Sequence, residues 1–201
     1  MPAEIVARPW WVNLLILIPF AAYFAWRRPG LALAAHTLTV AGVFGIAFGF
    51  VESSVLVYLR VAVGLLPGYQ ESLSKAAHVA APAYTQGQLL IQAPATLLSL
   101  EVAREAGTII MLLTVALLAA KGWRERSAIF LWMFAAWDIF YYVGSWLSTR
   151  WPPSLGAPDV LFLIPVPWFA PVWFPVTVSA LTMVAIALVS RHAAGTRGHA
   201  Q

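Results

Sequence analysis

From Leu31 to Leu59 the chain carries one charged side chain, Glu52. Wound as a helix rising about 1.5 Å per residue, such a run exceeds the hydrocarbon core of a bilayer, about 30 Å. Apolar runs also lie at Trp10–Trp26, Leu97–Ala120, Ser127–Leu147 and Val160–Ser190. In lipid every backbone donor and acceptor needs a protein partner, which leaves helices or closed barrels. Runs of this length suit helices. The sequence therefore predicts an all-α fold, a polytopic transmembrane helix bundle of about five spans. Charged residues are 10% of the chain, against about 25% in soluble domains. There is no cysteine, which excludes disulfides, thiolate metal sites and cysteine nucleophiles. The net charge of +4 resides in short loops, a pattern of membrane orientation rather than nucleic-acid binding.

Taken in order, residues 1–9 form a lead and residues 10–190 a single bundle. The spans are expected at about 10–26, 31–59, 97–120, 127–147 and 160–190. The first run is closed by Arg27-Arg28-Pro29-Gly30. A cleaved signal peptide would carry its positive charge before the run, so this run reads as a first span. Gly45 and Gly49 form a small-xxx-small pattern that lets another helix approach closely, and mark a candidate helix–helix contact. Residues 61–96, with Pro67, Pro82 and Pro94, are expected to be an extracytoplasmic connection. The last run contains Pro165, Pro167, Pro171 and Pro175, and proline lacks the amide donor a helix interior needs. Val160–Trp168 is therefore expected to be irregular or re-entrant, with a helix from about Pro171. Residues 191–201 read as a disordered basic tail.

The positive-inside rule orients such a bundle. Arg27, Arg28, Lys121, Arg124, Arg126, Arg191 and Arg197 fall on one side, and Arg8, Arg60, Lys75 and Arg150 on the other. Seven against four puts the N-terminus outside and the C-terminus in the cytoplasm of a bacterial inner membrane. Glu52, Glu105 and Asp138 then each lie about 12 Å below the outer end of their helices. Glu101, Arg104, Tyr141 and Tyr142 lie higher, and Asp159 stands at the outer mouth near Trp168. Arg60 marks the exit of the second span. His36 is a lone polar group in the inner half, expected to be packed or hydrogen-bonded.

Charge at membrane depth costs about 2.5–3.5 kcal/mol per residue on insertion scales, and so usually has a partner and a purpose. Glu101, Arg104, Glu105 and Thr108 share one helical face by their spacing of three and four. One reading is structural: Arg104 pairs with Glu101 or Glu105, and the remaining acids bond to Tyr and Ser. Yet one Arg cannot neutralise Glu52, Glu101, Glu105 and Asp138 together. The favoured reading is an enzyme or binding pocket for a lipid-like molecule entering from the outer leaflet. Glu52, Glu105 and Asp138 are then the acid/base candidates, since carboxylates in unlike environments can divide acid from base roles. Arg104 is an anion anchor. Glu101, Tyr141, Tyr142, Arg60, Asp159 and Trp168 complete the binding set. Proton- or cation-coupled transport is a second class, although the inner half lacks a polar path. No cofactor is expected. Of metal ions, Mg²⁺, Ca²⁺ or Mn²⁺ would suit an all-carboxylate site, and zinc or copper would not. An accessory subunit of a larger membrane complex is a third class. Membrane lipids are expected partners and nucleic acid is not.

The segments Gly49-Phe-Val-Glu-Ser-Ser-Val-Leu-Val-Tyr-Leu-Arg60, Glu101-Val-Ala-Arg-Glu-Ala-Gly107, Trp137-Asp-Ile-Phe-Tyr-Tyr142 and Phe162-Leu-Ile-Pro-Val-Pro-Trp168 resemble a set found in small bacterial multi-pass membrane proteins. That resemblance implies no activity. The order of features also resembles the sterol-isomerase-like (EXPERA) membrane proteins. These have an acidic residue in one helix, an Asp-x-x-Tyr-like element in the next and a Trp in the last. The likeness implies that such residues line a pocket for a sterol or other lipophile. This chain lacks that family's Gly-Asp-x-Arg-Tyr element and has an extra charged pair. Glu101-x-x-x-Glu105 is similar to the ExxxE of undecaprenyl-diphosphate phosphatases. Their Ser/Arg/Gly-rich phosphate loop is absent here, which argues against phosphate-ester hydrolysis.

Overall fold

The computed structural model describes the backbone of residues 6–62 and 95–198, and the side chains of residues 6–58 and 98–190. The expected connection at 61–96 and the side chain of Arg60 lie largely outside these described residues. The first apolar run begins as a 3-10 helix, Trp10–Leu17, and continues as α1, Ile18–Trp26. Then follow α2 (Ala35–Ala62), α3 (Ala95–Ala119), α4 (Trp123–Thr149), β1 (Pro158–Phe162), β2 (Trp168–Pro171) and α5 (Trp173–Gly198). Four of these helices, α2 to α5, are long and apolar enough to cross a membrane, and Trp10–Trp26 is a shorter apolar helix.

The described chain is thus mostly helical, with one addition to the all-α expectation. Where Val160–Trp168 reads as irregular, the chain forms an antiparallel hairpin that pairs Pro158 with Pro171, Asp159 with Ala170 and Val160 with Phe169. The prolines make this consistent. Pro165 and Pro167 lie in the connection between the strands. Pro158 and Pro171 face each other at the open end, where a missing amide interrupts no interior ladder bond. Val160, Leu161, Phe162, Trp168 and Phe169 are good strand formers. Beyond the hairpin, α5 starts at Trp173 and runs on to Gly198, well into the segment expected to be a disordered tail. Arg191–Thr196 contains no proline, and adding residues to an existing helix avoids the cost of nucleation.

The N-terminal lead is part of the fold. The backbones of Arg8 and Phe169 exchange two hydrogen bonds of 2.7 and 2.8 Å, which extends the hairpin by a third short element. The Asn13 amide closes the turn behind it, accepting from the Ala7 N–H and donating to the Ala7 carbonyl. Ala7, Val12, Ala170 and Phe174 bury together there. His36, expected to be packed, is instead exposed in the first turn of α2.

Helix α4 is the hub. It packs most extensively on α2, then on α5 and α3, while α5 also packs on α1. The α2–α4 seam is made by small residues. A Cβ on Gly45 would lie 2.6 Å from the Met133 carbonyl, and one on Gly49 would lie 2.7 Å from that of Trp137. The face expected to receive a helix partner therefore receives α4 of the same chain. It is not left open for a second protein. Contacts advance together along the two helices, from Gly42 beside Trp132 to Ser53 beside Gly144. The helices therefore run in the same direction, as two spans separated by one returning span must. The Trp132 indole N–H donates to the Leu38 carbonyl at 2.8 Å and pins this register.

Candidate functional site

The small-residue seam dictates where the first carboxylate goes. Glu52 lies one turn beyond Gly49 on the same face, so close approach of the backbones delivers it, buried, beside the Trp137–Gly144 stretch of α4. Helix α3 brings the rest. Leu112 and Ala116 share a buried cluster with Ile129 and Met133 of α4, and the short connection between Ala119 and Trp123 makes α3 and α4 antiparallel neighbours. Helix α5 is antiparallel as well: Ser179 meets Asp138, and Val172 meets Tyr142. Three helices thus converge on α4.

There they enclose a cavity of about 610 Å³. Its lining includes Glu52 from α2, Glu101, Arg104, Glu105 and Thr108 from α3, and Asp138, Tyr141 and Tyr142 from α4. Asp159, Leu163 and Trp168 come from the hairpin, and Ser179 and Thr182 from α5. Phe130, Phe134, Trp137, Phe162 and Phe174 supply apolar walls. Every residue named from sequence as a candidate acid/base or binding group lines this cavity, except Arg60, whose side chain is outside the described residues. Two Phe–Trp edges, Phe134–Trp137 and Phe162–Trp168, pack with ring centroids 5.1 and 5.4 Å apart. A broad aromatic wall results.

The charged groups and several of the hydroxyls in the lining have particular anchors, while the indole N–H groups of Trp137 and Trp168 have no hydrogen-bond partner. The Arg104 guanidinium donates from Nε and Nη2 to Glu101 Oε2, at 2.9 and 2.7 Å, while its Nη1 forms an ion pair with Glu52. Glu105 Oε2 accepts from the Leu163 backbone N–H at 2.8 Å, tying α3 to the hairpin. Asp138 Oδ2 accepts from the Ser179 hydroxyl at 2.8 Å. The Tyr142 hydroxyl donates to Asp159 Oδ2 at 2.6 Å, and Asp159 is itself buried on β1. The Thr108 hydroxyl turns back to the Arg104 carbonyl at 3.1 Å. Tyr142→Phe should therefore cost about 1–3 kcal/mol, the penalty of removing one partner of a buried hydrogen bond. Unfolding of the purified protein in lipid nanodiscs would measure it.

These anchors revise two expectations. Arg104 bridges Glu101 on its own helix and Glu52 on α2, where the spacing alone offered Glu101 or Glu105. Its charge is met by both, so it is not an open anchor for an anion. Ser179, Thr182 and the Leu163 amide were not singled out from sequence. Ser179 and Thr182 did leave a signal, because they are hydroxyls three residues apart on an apolar helix, and so share a face. The Leu163 amide left none, since a backbone group becomes available only through the hairpin. Among the described residues no three His, Asp or Glu side chains gather so as to hold a metal ion. No family model, curated protein or solved structure matches the chain.

Proposed function

We propose that this chain is a multi-pass protein of a bacterial cytoplasmic membrane, with its N-terminus outside. In this reading the cavity opens in the outer half of the bilayer. A lipid-like molecule enters it and is bound or transformed by acid/base chemistry. What supports the reading is the meeting of Glu52, Glu105 and Asp138, from three helices, in one cavity with aromatic walls. The size fits, since pockets of about 300–1,000 Å³ hold most of a small amphiphile.

The three carboxylates have unequal surroundings, which is what a division of labour between acid and base requires. Glu52 is ion-paired to Arg104, Glu105 is held by a backbone amide, and Asp138 is held by a hydroxyl. Glu105 and Asp138 are the stronger acid/base candidates, because neither is bound to the cation. Glu52 and Arg104 then set the position of α3 against α2. The hairpin roofs the cavity through the Glu105–Leu163 bond.

The test is to purify the protein from its membrane in nanodiscs, identify co-purifying lipid by mass spectrometry, and measure its binding and turnover. Glu105→Gln and Asp138→Asn should each lower turnover by at least about a hundredfold, the usual contribution of a general acid or base, with the unfolding midpoint kept. Retained turnover in both variants would overturn the acid/base assignment. Absence of any bound amphiphile would overturn the pocket.

A further inference from the structure

We infer that the cavity selects a neutral headgroup bearing several hydroxyls, of the sugar or polyol class, over an anionic or cationic one. This rests on the lipid-pocket reading above and adds the chemistry of the polar end. Three observations carry it. First, the cavity's cation is already committed. Arg104 is bound by Glu101 and ion-paired to Glu52, so among the described lining residues no further positive group is left to receive a phosphate or carboxylate. An anion would also face the Asp138 carboxylate, which is held by a hydroxyl and not by a cation, and like charges in a low-dielectric site repel strongly.

Second, the lining offers unspent donors. The indole N–H groups of Trp137 and Trp168 are buried in the cavity lining with no hydrogen-bond partner, and Trp137 is only 7% exposed. An indole can only donate, and an ammonium can only donate. A cationic headgroup would leave both indoles unsatisfied, at the cost of a buried unpaired donor. Third, the lining offers acceptors at separate places. Glu105 and Asp138 each engage a protein donor through one oxygen, Oε2 and Oδ2 respectively, which leaves Oε1 and Oδ1 for a ligand. Donors and acceptors on different helices call for a group that does both at more than one point. A polyhydroxyl ring does so, and the Phe134–Trp137 and Phe162–Trp168 wall gives its C–H face an apolar surface.

The experiment uses four amphiphiles with the same decyl chain: decyl glucoside, decylammonium, decyl phosphate and decanoate. Binding to the full-length protein in phosphatidylcholine nanodiscs is measured by equilibrium dialysis against empty nanodiscs. Decyl glucoside should bind at least about tenfold more tightly than each charged analogue. Trp137→Phe should weaken the glucoside about tenfold, the equivalent of one hydrogen bond, and leave decylammonium binding unchanged. Tighter binding of decylammonium would identify a cation site and overturn the inference. Tighter binding of either anion would overturn it by showing that Arg104 is released. No specific binding of any of the four would remove the lipid pocket itself, a separate failure. If Trp137→Phe does not fold, the headgroup ranking in the natural chain decides alone.

Discussion

Arg104→Met is expected to destabilise the protein by about 3–5 kcal/mol, the cost of breaking a buried ionic group by removing one partner. The side chains involved are well shielded: Arg104 is 26% exposed, Glu101 17% and Glu52 9%. This distinguishes them from surface pairs, worth about 0–1 kcal/mol. Without the guanidinium, two carboxylates from α2 and α3 face one another with no counter-ion. The double variant Arg104→Met, Glu52→Gln should recover part of the loss, because it removes one of the two stranded charges. Unfolding in nanodiscs, arranged as a double-mutant cycle, checks both values. A single-variant loss below about 1 kcal/mol would mean that the trio is solvated and that α3 is held by packing alone.

Gly49→Val should cost about 3 kcal/mol, the upper part of the usual range for overpacking. The added Cβ would sit 2.7 Å from the Trp137 carbonyl oxygen and 2.9 Å from the Tyr141 nitrogen. Both neighbours are backbone, and neither can swing aside. Helix α2 would have to move away from α4 and carry Glu52 with it, so ligand binding should fall along with stability. Gly107→Ala is the internal comparison. No atom lies within 4 Å of the added Cβ, and the change should be neutral or stabilising by up to about 1 kcal/mol through helix propensity. Equal effects at the two positions would show that the seam between α2 and α4 is loose.

The two variants probe the two ways in which the cavity is assembled. The glycine seam brings α2 onto α4 by shape. The Arg104 bridge brings α3 onto α2 by charge. Helix α3 is the least buried of the four long helices, so the ionic bridge, the packing of Leu112 and Ala116, and the Glu105–Leu163 bond together determine its place.

Much of this was written in the chain itself. Membrane-length apolar runs determine helices, because lipid leaves a backbone no other open-ended way to satisfy its polar groups. Gly45 and Gly49 announce a close helix contact, and the spacing of Glu101, Arg104, Glu105 and Thr108 determines that they share a face. Sequence also places Glu52, Glu105 and Asp138 at similar distances along their helices. Tertiary structure alone decided which cation met which carboxylate, since Arg104 reaches Glu52 only once α2 and α3 flank the same part of α4. It alone made a hairpin of the proline-rich stretch, because strand pairing joins residues whose affinity for each other no local pattern records. Through that hairpin it supplied the Leu163 amide and set the Asp159 carboxylate against the Tyr142 hydroxyl. The physical reason is one of range: helix formation and facing are settled within a few residues, whereas the cavity depends on contacts between segments far apart in the chain.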